Sequence, residues 1–406
     1  MPTIEGFSVK NYGVLKDITM GRVISDTFQQ PLTQLLAVIG KNGTGKSTLF
    51  DAFGFLGDCL KSGVEEACNG NNRRGYQSII SKGSNGPIEF EITYRETSNN
   101  RPMSYNLSIA ANDSGRPYIQ YERLRQRRKG QKRGRPYSFL SITNGTGRAW
   151  VGEMLEGDEN AVDIPIRLSD QNMPVISTLG AFKEHPRIIQ FRNFVQGWYL
   201  CYFEPNDARD LPLAGPQKHL NKTGSNLSNV LQYMEQLKGK KQIQAILDGI
   251  TKKVPGINKI YTQPTPDNRL LLCFDETGFS EPHYAQRMSD GTIKLVAYLV
   301  LLEDPEMAPF VCLEEPENGL YHNLLTILAK ELKDKIESSK SKSQLFVTTH
   351  SPYFINALSP NEVWILEKEN TGFSTIRRVS DMQLVENLAK EIPLGDLWYS
   401  NYLERR

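Results

Sequence analysis

The segment Gly40–Ser47 (GKNGTGKS) has glycines, a lysine and a serine at the spacing G-x-x-x-x-G-K-[ST] of a phosphate-binding loop, also called Walker A. Small residues let consecutive backbone N–H groups turn inward at a helix N-terminus, where the helix dipole adds positive potential. We expect Lys46 to contact the β- and γ-phosphates of ATP and Ser47 to hold Mg²⁺. The predicted nucleotide-binding residues of this segment are Gly40, Asn42, Gly43, Gly45, Lys46, Ser47 and Thr48.

Two adjacent carboxylates end the apolar run PFVCLEE at residues 309–315. An acidic strand end is the usual partner of a phosphate loop, because one carboxylate orders Mg²⁺ and the next polarises the attacking water. These roles fall to Glu314 and Glu315. The first position usually carries Asp, so the longer Glu314 side chain is expected to shift the Mg²⁺ water shell and to affect turnover. The alternative is that both are only charges at a strand end.

The segment MSDGT opens an apolar helix upstream of the acidic strand end. Alone, S-D-G is a common turn or N-cap. In this position it resembles the ABC signature, whose Ser and Gly bind the γ-phosphate held by the opposite subunit; the residues are Ser289, Asp290 and Gly291. His350, in FVTTHSPYF, follows the next strand, where ABC ATPases carry a switch histidine that contacts the γ-phosphate. A lone histidine is more often structural.

The order phosphate loop, signature, acidic strand end and histidine is that of ABC ATPases and not of hexameric AAA+ rings. The chain resembles the RecF-like predicted ATPases of the AAA domain 21 group, which are related to SMC ATPase heads and to ATPases of bacterial anti-phage systems. The resemblance implies Mg²⁺-dependent ATP hydrolysis, with Lys46, Glu315 and His350 as catalytic residues and Ser47 and Glu314 as Mg²⁺ ligands. It covers most of the chain, in the segments IEGFSVKNYGVLKD, GKNGTGKS, WYLCYFEPNDARDLP, TGSNLSNVLQYM, MSDGTIKLVAYLVLL, EEPENGL and THSPYFINAL.

Two features depart from the family pattern. The acidic motif is usually followed by Gly-Leu-His-Pro, whereas Tyr321 and His322 stand at the last two positions here. The loop after the general base, and its contacts across a dimer, are therefore expected to differ. The Q-loop glutamine is not assigned by the sequence, and Gln77, Gln171 and Gln190 all remain candidates.

The elements that must position these residues alternate between strands and helices. Leu35–Ile39 (LLAVI) predicts a buried strand before the phosphate loop, and apolar residues at helical spacing from 49 to 56 predict a helix after it. From residue 270 onward the pattern is LLLCF, TIKLVAYLVLL, PFVCL, NLLTILAKELKDKI, SQLFVTT and VWILE. The predicted fold class is therefore α/β: an ABC-type P-loop ATPase head with a mixed sheet and flanking helices.

Two further segments separate the parts of this ATPase head. Short β runs between residues 88 and 142 predict an antiparallel sheet lobe inserted into the head, and apolar residues at helical spacing from 225 to 250 predict a helical connector. The predicted domains are an N-terminal ATPase lobe (residues 1–95), an inserted β-rich or irregular lobe (96–215), a helical connector (216–268) and a C-terminal ATPase lobe (269–406).

A basic segment, RLRQRRKGQKRGR at Arg123–Arg135, lies between two of the β runs. It is interpreted first as a solvated hairpin turn and, as the main alternative, as a contact for a nucleic-acid phosphate backbone. Its basic residues are Arg123, Arg125, Arg127, Arg128, Lys129, Lys132, Arg133 and Arg135.

The composition of the 406-residue chain limits the other possibilities. Lys plus Arg total 48 against 46 acidic residues, so the net charge of +2 gives no overall reason to expect nucleic acid. The five cysteines form no C-x-x-C pair, which argues against a zinc site or a disulfide framework. The start MPTIEGFSVKNYG lacks a signal-peptide pattern, and no apolar run reaches the roughly 18 residues of a membrane span. A cytoplasmic protein without a membrane anchor is expected.

The resemblance also implies a partner, because the ABC signature meets a phosphate loop on another subunit. A homodimer or higher homo-oligomer would close on ATP and open on hydrolysis. The favoured function is a sensor or scaffold in bacterial anti-phage defence that controls a separately encoded effector such as a nuclease. The alternatives are a RecF-like DNA-binding ATPase of repair or recombination, a scaffold with negligible turnover, and a transporter ATPase, which the mismatch of MSDGT to LSGGQ disfavours.

Overall fold

The computed structural model describes residues 2–24, 29–126, 136–151, 162–237, 240–338 and 343–403. The β-strands in these residues are β1 Thr3–Tyr12, β2 Leu15–Gly21, β3 Leu35–Ile39, β4 Ile88–Arg95, β5 Met103–Ala111, β6 Pro117–Gln126, β7 Tyr137–Thr143, β8 Thr146–Val151, β9 Val162–Arg167, β10 Tyr199–Cys201, β11 Ile257–Pro264, β12 Leu270–Glu276, β13 His283–Tyr284, β14 Phe310–Glu314, β15 Gln344–Thr349, β16 Val363–Lys368 and β17 Ser374–Arg378.

The helices connect these strands and cover the faces of the sheets. They are α1 Lys46–Ser62, α2 Val64–Asn69, α3 Tyr76–Ile79, α4 Val175–Leu179, α5 Pro186–Gln196, α6 Pro205–Ala208, α7 Leu227–Leu237, α8 Lys240–Thr251, α9 Asp290–Leu302, α10 His322–Glu337, α11 Pro352–Ile355, α12 Gln383–Leu388 and α13 Leu394–Tyr399. Within the described parts of the chain, each helix falls short of the length and apolarity that crossing a bilayer requires.

A central sheet carries the predicted site. Its strand order is β10-β14-β15-β3-β16-β17, and neighbouring strands are parallel except for β16 and β17. The strands β3, β14 and β15 are short and buried along almost their whole length, because both faces of this sheet are covered. The carboxyl ends of these three parallel strands lie at one edge, where the phosphate loop, the acidic pair and His350 follow.

The alternation of side chains in β3 divides the core. Leu35, Ala37 and Ile39 belong to a cluster with the buried face of α9 and with α10, whereas Leu36 and Val38 belong to a second cluster with α1 and the N-terminal strands. The central sheet therefore separates two hydrophobic layers, and α1 and α9 lie on opposite faces of it.

The antiparallel sheet is larger than the predicted inserted lobe. Its order is β2-β1-β4-β5-β6-β7-β8-β9, so it runs across the predicted boundary between residues 95 and 96. The pairs β1–β2 and β1–β4 join the first strands of the chain to the β runs that follow residue 88. The β-rich part and the N-terminal part thus share one sheet. The domain boundaries themselves remain a prediction.

The predicted helical connector contains helices and a strand. The helices α7 and α8 lie where the sequence predicted them, but β11 (Ile257–Pro264) follows within the segment 216–268 and pairs with β12. Together with β13 these strands form a small antiparallel sheet against the two helices. This sheet leads directly into the 3₁₀ turn Ala285–Arg287 that precedes the signature.

Candidate nucleotide site

The phosphate loop joins the end of β3 to the start of α1, which is the predicted order strand, loop and helix. Gly45 has a φ of 99°, in the left-handed region that favours glycine, and a Cβ there would lie 2.6 Å from Val14 Cγ2. A Cβ on Gly40 would lie 2.5 Å from the carbonyl oxygen of Leu366. Ser374 Oγ donates to the carbonyl oxygen of Thr44 at 2.6 Å. Larger residues at either glycine would displace this loop.

Lys46 is the first residue of α1, and its side chain is 4% exposed. Its Nζ donates to the carbonyl oxygen of Gly40 at 2.9 Å and lies 3.3 Å from Oε1 of Glu315. A buried ammonium needs such partners because water cannot solvate it there. The structure thus brings together two residues that are 269 positions apart in the sequence, the difference between positions 315 and 46.

Glu315 follows β14 with a φ of 38°, which is rare for a residue other than glycine. Its N–H donates to the carbonyl oxygen of Thr348 at 2.9 Å and to Thr348 Oγ1 at 3.2 Å, which holds this backbone conformation. Asn318 Nδ2 donates to Glu315 Oε2 at 3.1 Å. Strained backbone of this kind is found at functional sites when the surroundings fix it.

Glu314 is the last residue of β14, and its carboxylate accepts a hydrogen bond from Ser47. Burial raises its pKa, and the nearby carboxylates of Glu315 and Asp51 raise it further against the hydrogen bond from Ser47. In the described ranges, no three His, Cys, Asp or Glu side chains cluster in a way that could hold a metal ion. Ser47 and Glu314 nevertheless fit Mg²⁺, which prefers hard oxygen ligands and takes few from the protein beside waters and substrate phosphates.

His350 follows β15 and contacts two carboxylates. Its Nδ1 lies 3.0 Å from Oε1 of Glu317 and 3.8 Å from Oε1 of Glu315. The hydrogen bond to Glu317 raises the pKa of His350, burial opposes this, and the Glu315 charge adds to it. The predicted catalytic residues Lys46, Glu315 and His350 therefore meet at one oxygen of Glu315.

The predicted signature lies at the N-terminus of α9. Ser289 is the N-cap, and its Oγ accepts a hydrogen bond from the N–H of Thr292 at 3.2 Å. Within one chain, Ser289 therefore acts as an ordinary helix N-cap. Asp290 forms an ion pair with Arg209, whose guanidinium also donates to the carbonyl oxygen of Met288 at 2.7 Å. Ser289 and Asp290 are both exposed.

Gly291 packs against the loop that follows the acidic pair. A Cβ on Gly291 would lie 3.0 Å from the carbonyl oxygen of Gly319 and 3.2 Å from Leu324 Cδ1. Lys294 on the same helix donates to the carbonyl oxygen of Asn318 at 2.7 Å. The signature helix and the loop after Glu315 are thus held together within one subunit.

The family model described as "AAA domain, putative AbiEii toxin, Type IV TA system" matches residues 35–356. The match begins with β3 and extends beyond His350, so it contains the phosphate loop, the signature, the acidic pair and His350. The chain belongs to this AAA domain family. It is therefore an ATPase of this AAA domain family, and nucleotide binding is a property of the family.

The fold of this AAA domain family member is similar to that of a solved Smc head. The Smc head bound to the C-winged helix domain of ScpA is 15% identical, with a TM-score of 0.53, over 92% of this chain and 97% of that chain. The SMC head domain of Thermotoga maritima is 14% identical (TM-score 0.46), over 92% and 98%. The Smc head of Pyrococcus furiosus, with an extended coiled coil and bound to the C-terminal domain of ScpA, is 14% identical (TM-score 0.48), over 96% and 100%. None of the curated proteins matches this chain.

Two residues of the site were not predicted from the sequence. Glu317 contacts His350, and Arg209 contacts the signature. A signal existed for Glu317, because it is the third carboxylate of the EEPE run that also contains Glu314 and Glu315. Arg209 lies in the segment WYLCYFEPNDARDLP, which supports the family resemblance but shows no pattern that points to the signature.

A cleft of about 820 Å³ lies beside the phosphate loop of this AAA domain ATPase. It is lined by residues 41–44 on one side, by residues 366–371 of the β16–β17 hairpin on the other, and by Trp398 of α13. Its volume lies in the range of small-molecule sites. The hairpin is held against the loop because Ser374 contacts both Thr44 and Val14.

The Q-loop glutamine stays unassigned. Gln77 is exposed on α3, Gln171 lies beside the β7–β8 turn, and Gln190 lies on α5.

The basic segment is described only at its start, where Arg123 donates to Ser138 Oγ at 2.7 Å and Arg125 lies 3.4 Å from Glu91. Residues 127–135, which hold its other basic side chains, lie outside the described residues.

Proposed function

We propose that this ATPase hydrolyses ATP with Mg²⁺ at a site completed by a second copy of the chain, and that it is a sensor or scaffold in bacterial anti-phage defence. It controls a separately encoded effector, such as a nuclease. The observation that carries the catalytic part is the meeting of Lys46 and His350 at Oε1 of Glu315. The family description, which names a toxin of a toxin–antitoxin system, supports the defence part.

The site residues divide the work of phosphoryl transfer to water. Backbone N–H groups of Gly40–Thr48 and the Lys46 ammonium bind the phosphates, and Glu315 takes a proton from the attacking water. His350 contacts the γ-phosphate. Ser47 and Glu314 would hold Mg²⁺, which would neutralise charge on the phosphate oxygens.

The exposure of the signature supports a site completed between subunits. Ser289 and Asp290 are exposed, and the N-terminus of α9 carries partial positive charge that suits a phosphate. A homodimer or higher homo-oligomer would place Ser289 and Gly291 of one copy against the γ-phosphate held by the other. Loss of that phosphate would release the contact, so the nucleotide state sets the assembly.

The effector is proposed as a separate protein. One Smc head with this fold is bound to the C-winged helix domain of ScpA, and this supports a partner protein for this chain. For this chain we propose a partner whose activity follows the ATP-bound assembly. We expect the effector reaction to take place on the partner, because the site residues of this chain serve phosphoryl transfer.

The test compares Glu315→Gln with wild type in ATP hydrolysis and in mass measurement with and without ATP. We expect turnover to fall by about 10²- to 10⁴-fold, as for loss of a general base, while ATP still drives assembly. Glu337→Gln makes the same chemical change at an exposed position at the end of α10 and should leave both results unchanged. Full turnover in Glu315→Gln would refute the role of Glu315 as general base, and no assembly of wild type with ATP would refute the composite site.

The defence role is tested with the same variant. Glu315→Gln, held in its ATP-bound assembly, is used to capture the partner from cells, and phage sensitivity is measured after deletion of the chain. We expect a captured effector and increased sensitivity. If no partner is captured and phage sensitivity does not change, the sensor and scaffold role is wrong even where the ATPase is active.

A second candidate is a RecF-like DNA-binding ATPase, favoured by the eight basic residues in Arg123–Arg135. Arg123 and Arg125 already contact Ser138 and Glu91, so a DNA contact would use the residues from 127 onward. Replacing the basic residues from 127 to 135 by Gln or Ser should weaken duplex binding and reduce its salt dependence. Unchanged binding and salt dependence would exclude this candidate.

A further inference from the structure

Glu317 is a buried carboxylate that the roles proposed above do not use. Its side chain is 7% exposed, and a single oxygen, Oε1, accepts three hydrogen bonds. The donors are Thr349 Oγ1 at 2.9 Å, the N–H of His350 at 2.6 Å and Nδ1 of His350 at 3.0 Å. Both the backbone and the ring of His350 are therefore held by one carboxylate oxygen.

The other oxygen of Glu317, Oε2, is buried and has no hydrogen-bond partner among the described residues. The positive charge that acts on this carboxylate from the signature helix is Lys294, which is buried and bonded to the carbonyl oxygen of Asn318. The loop that carries Glu317 is thus bonded to β15 on one side and to α9 on the other.

The contact with Glu317 determines which nitrogen of the His350 ring can bind a phosphate oxygen. Since Nδ1 donates to Glu317, Nε2 is the nitrogen that remains to contact a phosphate oxygen. The hydrogen bond to Glu317 also raises the pKa of His350, which favours a ring that donates from both nitrogens. The other charged groups that act on this ring are Glu315, which favours the charged form, and Lys46, which opposes it.

We propose that Glu317 is a positioning residue for ATP hydrolysis: it fixes the His350 ring so that Nε2 donates to the γ-phosphate. It does so from a loop that Lys294 holds on the signature helix, so the orientation of His350 and the position of the signature depend on the same loop. This inference rests on the proposed role of His350 and adds a residue to which no role was assigned.

A double-mutant cycle separates positioning from a general structural role, because residues that act through one another have non-additive effects. The proteins are wild type, Glu317→Gln, His350→Ala and the double variant. Gln keeps the size of the side chain and an acceptor oxygen but removes the charge. We expect each single change to lower kcat by about 10- to 100-fold with little change in KM, which is the range found when a residue that orients a metal-ligating histidine is replaced. The double variant should match His350→Ala alone.

Thr349→Val is the matched control, because it removes another hydrogen bond to the same oxygen without touching the ring. Its effect on kcat should be the same in the wild-type and His350→Ala backgrounds. Thermal midpoints of all variants establish that they are folded. If the loss of kcat in the double variant equals the product of the two single losses, Glu317 does not act through His350 and the proposal is wrong.

A second measurement does not need turnover. The imidazole of His350 is titrated by NMR in the protein without nucleotide, and its signal among the five histidines is assigned by its loss in His350→Ala. The pKa of His350 should be lower in Glu317→Gln than in wild type and unchanged in Thr349→Val. An unchanged pKa in Glu317→Gln overturns the proposal even if the wild type hydrolyses ATP. A lowered pKa in a protein without turnover would support the contact while the proposed ATPase mechanism fails.

Discussion

Nζ of Lys46 lies 3.3 Å from Oε1 of Glu315, so the cation of the phosphate loop and the proposed general base neutralise each other. A phosphate that binds Lys46 must share this ammonium with Glu315. Phosphate binding to Lys46 therefore also changes the contacts of the proposed general base.

Lys46→Met tests the phosphate contact, since Met keeps the apolar length of the side chain without the ammonium. At an ATP concentration about 100 times the Kd, wild type should gain about 2.7 kcal/mol of unfolding free energy. The Met variant should gain almost none at that concentration. Thermal unfolding with and without ATP measures this. Lys330→Met, an exposed change on α10, should keep the wild-type gain. An equal gain in Lys46→Met would show that Lys46 does not bind phosphate.

The ion pair of His350 and Glu317 predicts a pH window for stability. The carboxylate contributes above its ordinary pKa of 4.5, because its pKa is lowered: burial would raise it, but the hydrogen bonds from His350 outweigh burial. The imidazolium contributes below its ordinary pKa of 6.5 and is lost as the pH rises through its raised value. The difference in unfolding free energy between wild type and Glu317→Gln should be largest between these values and smaller at pH 9.

Urea unfolding at pH 5.5, 7.5 and 9 measures this difference. Thr349→Val should show a deficit that does not depend on pH, because it removes a bond between groups whose charges stay the same. If the deficit of Glu317→Gln is also constant across this range, the histidine is not charged in the pair.

Arg209→Met should weaken ATP-dependent assembly. Arg209 donates to the carbonyl oxygen of Met288 and pairs with Asp290, so it holds the segment that enters the signature. A hydrogen bond to a charged group is worth about 1.5–3 kcal/mol. The ATP concentration at which half of the protein is assembled should therefore be at least roughly 10-fold higher than for wild type. Mass measurement across an ATP titration checks this. Arg116→Met, which removes an exposed arginine paired with Glu65, should leave the titration unchanged. No shift in Arg209→Met would show that the signature needs no such support.

Gly291→Ala and Gly57→Ala should change stability in opposite directions. A Cβ on Gly291 meets the carbonyl oxygen of Gly319 at 3.0 Å, so we expect a loss of about 1–3 kcal/mol and weaker assembly. A Cβ on Gly57, inside α1, meets nothing within 4 Å, so the gain should be about 0.5–1 kcal/mol from helix propensity. Denaturant unfolding measures both. If Gly291→Ala were more stable than wild type, the loop at Gly319 would have moved to make room for the added methyl group.

The sequence predicted the site best where the chemistry depends on residues that are adjacent in the chain. The strand Leu35–Ile39 has the predicted bounds because five apolar residues between a polar turn and a glycine can only be a short buried segment. The ABC-type fold was predicted from the order of its motifs, and the family match and the Smc head similarity confirm it. The roles of the site residues remain predictions.

The missed features depend on contacts between distant residues. Glu317 has its role only because β14 and β15 are adjacent, and Arg209 because its segment folds back onto α9. The strand β10 has three residues, too few for a period to show, and it forms through pairing with β14. The helix α5 did carry a signal, since Ile188, Phe191 and Phe194 recur at every third position in the lobe that was predicted as β-rich or irregular.

The order of strands in the central sheet has a consequence for synthesis of the chain. β3 ends at Ile39, but it lies between β15 and β16, which span Gln344–Thr349 and Val363–Lys368. At roughly 5–20 residues per second, a ribosome completes those neighbours on the order of tens of seconds after β3. During that time an apolar strand has two unpaired edges, which is the condition that favours aggregation. Chaperone supply during translation should therefore limit the yield of active protein more than the stability of the finished fold does.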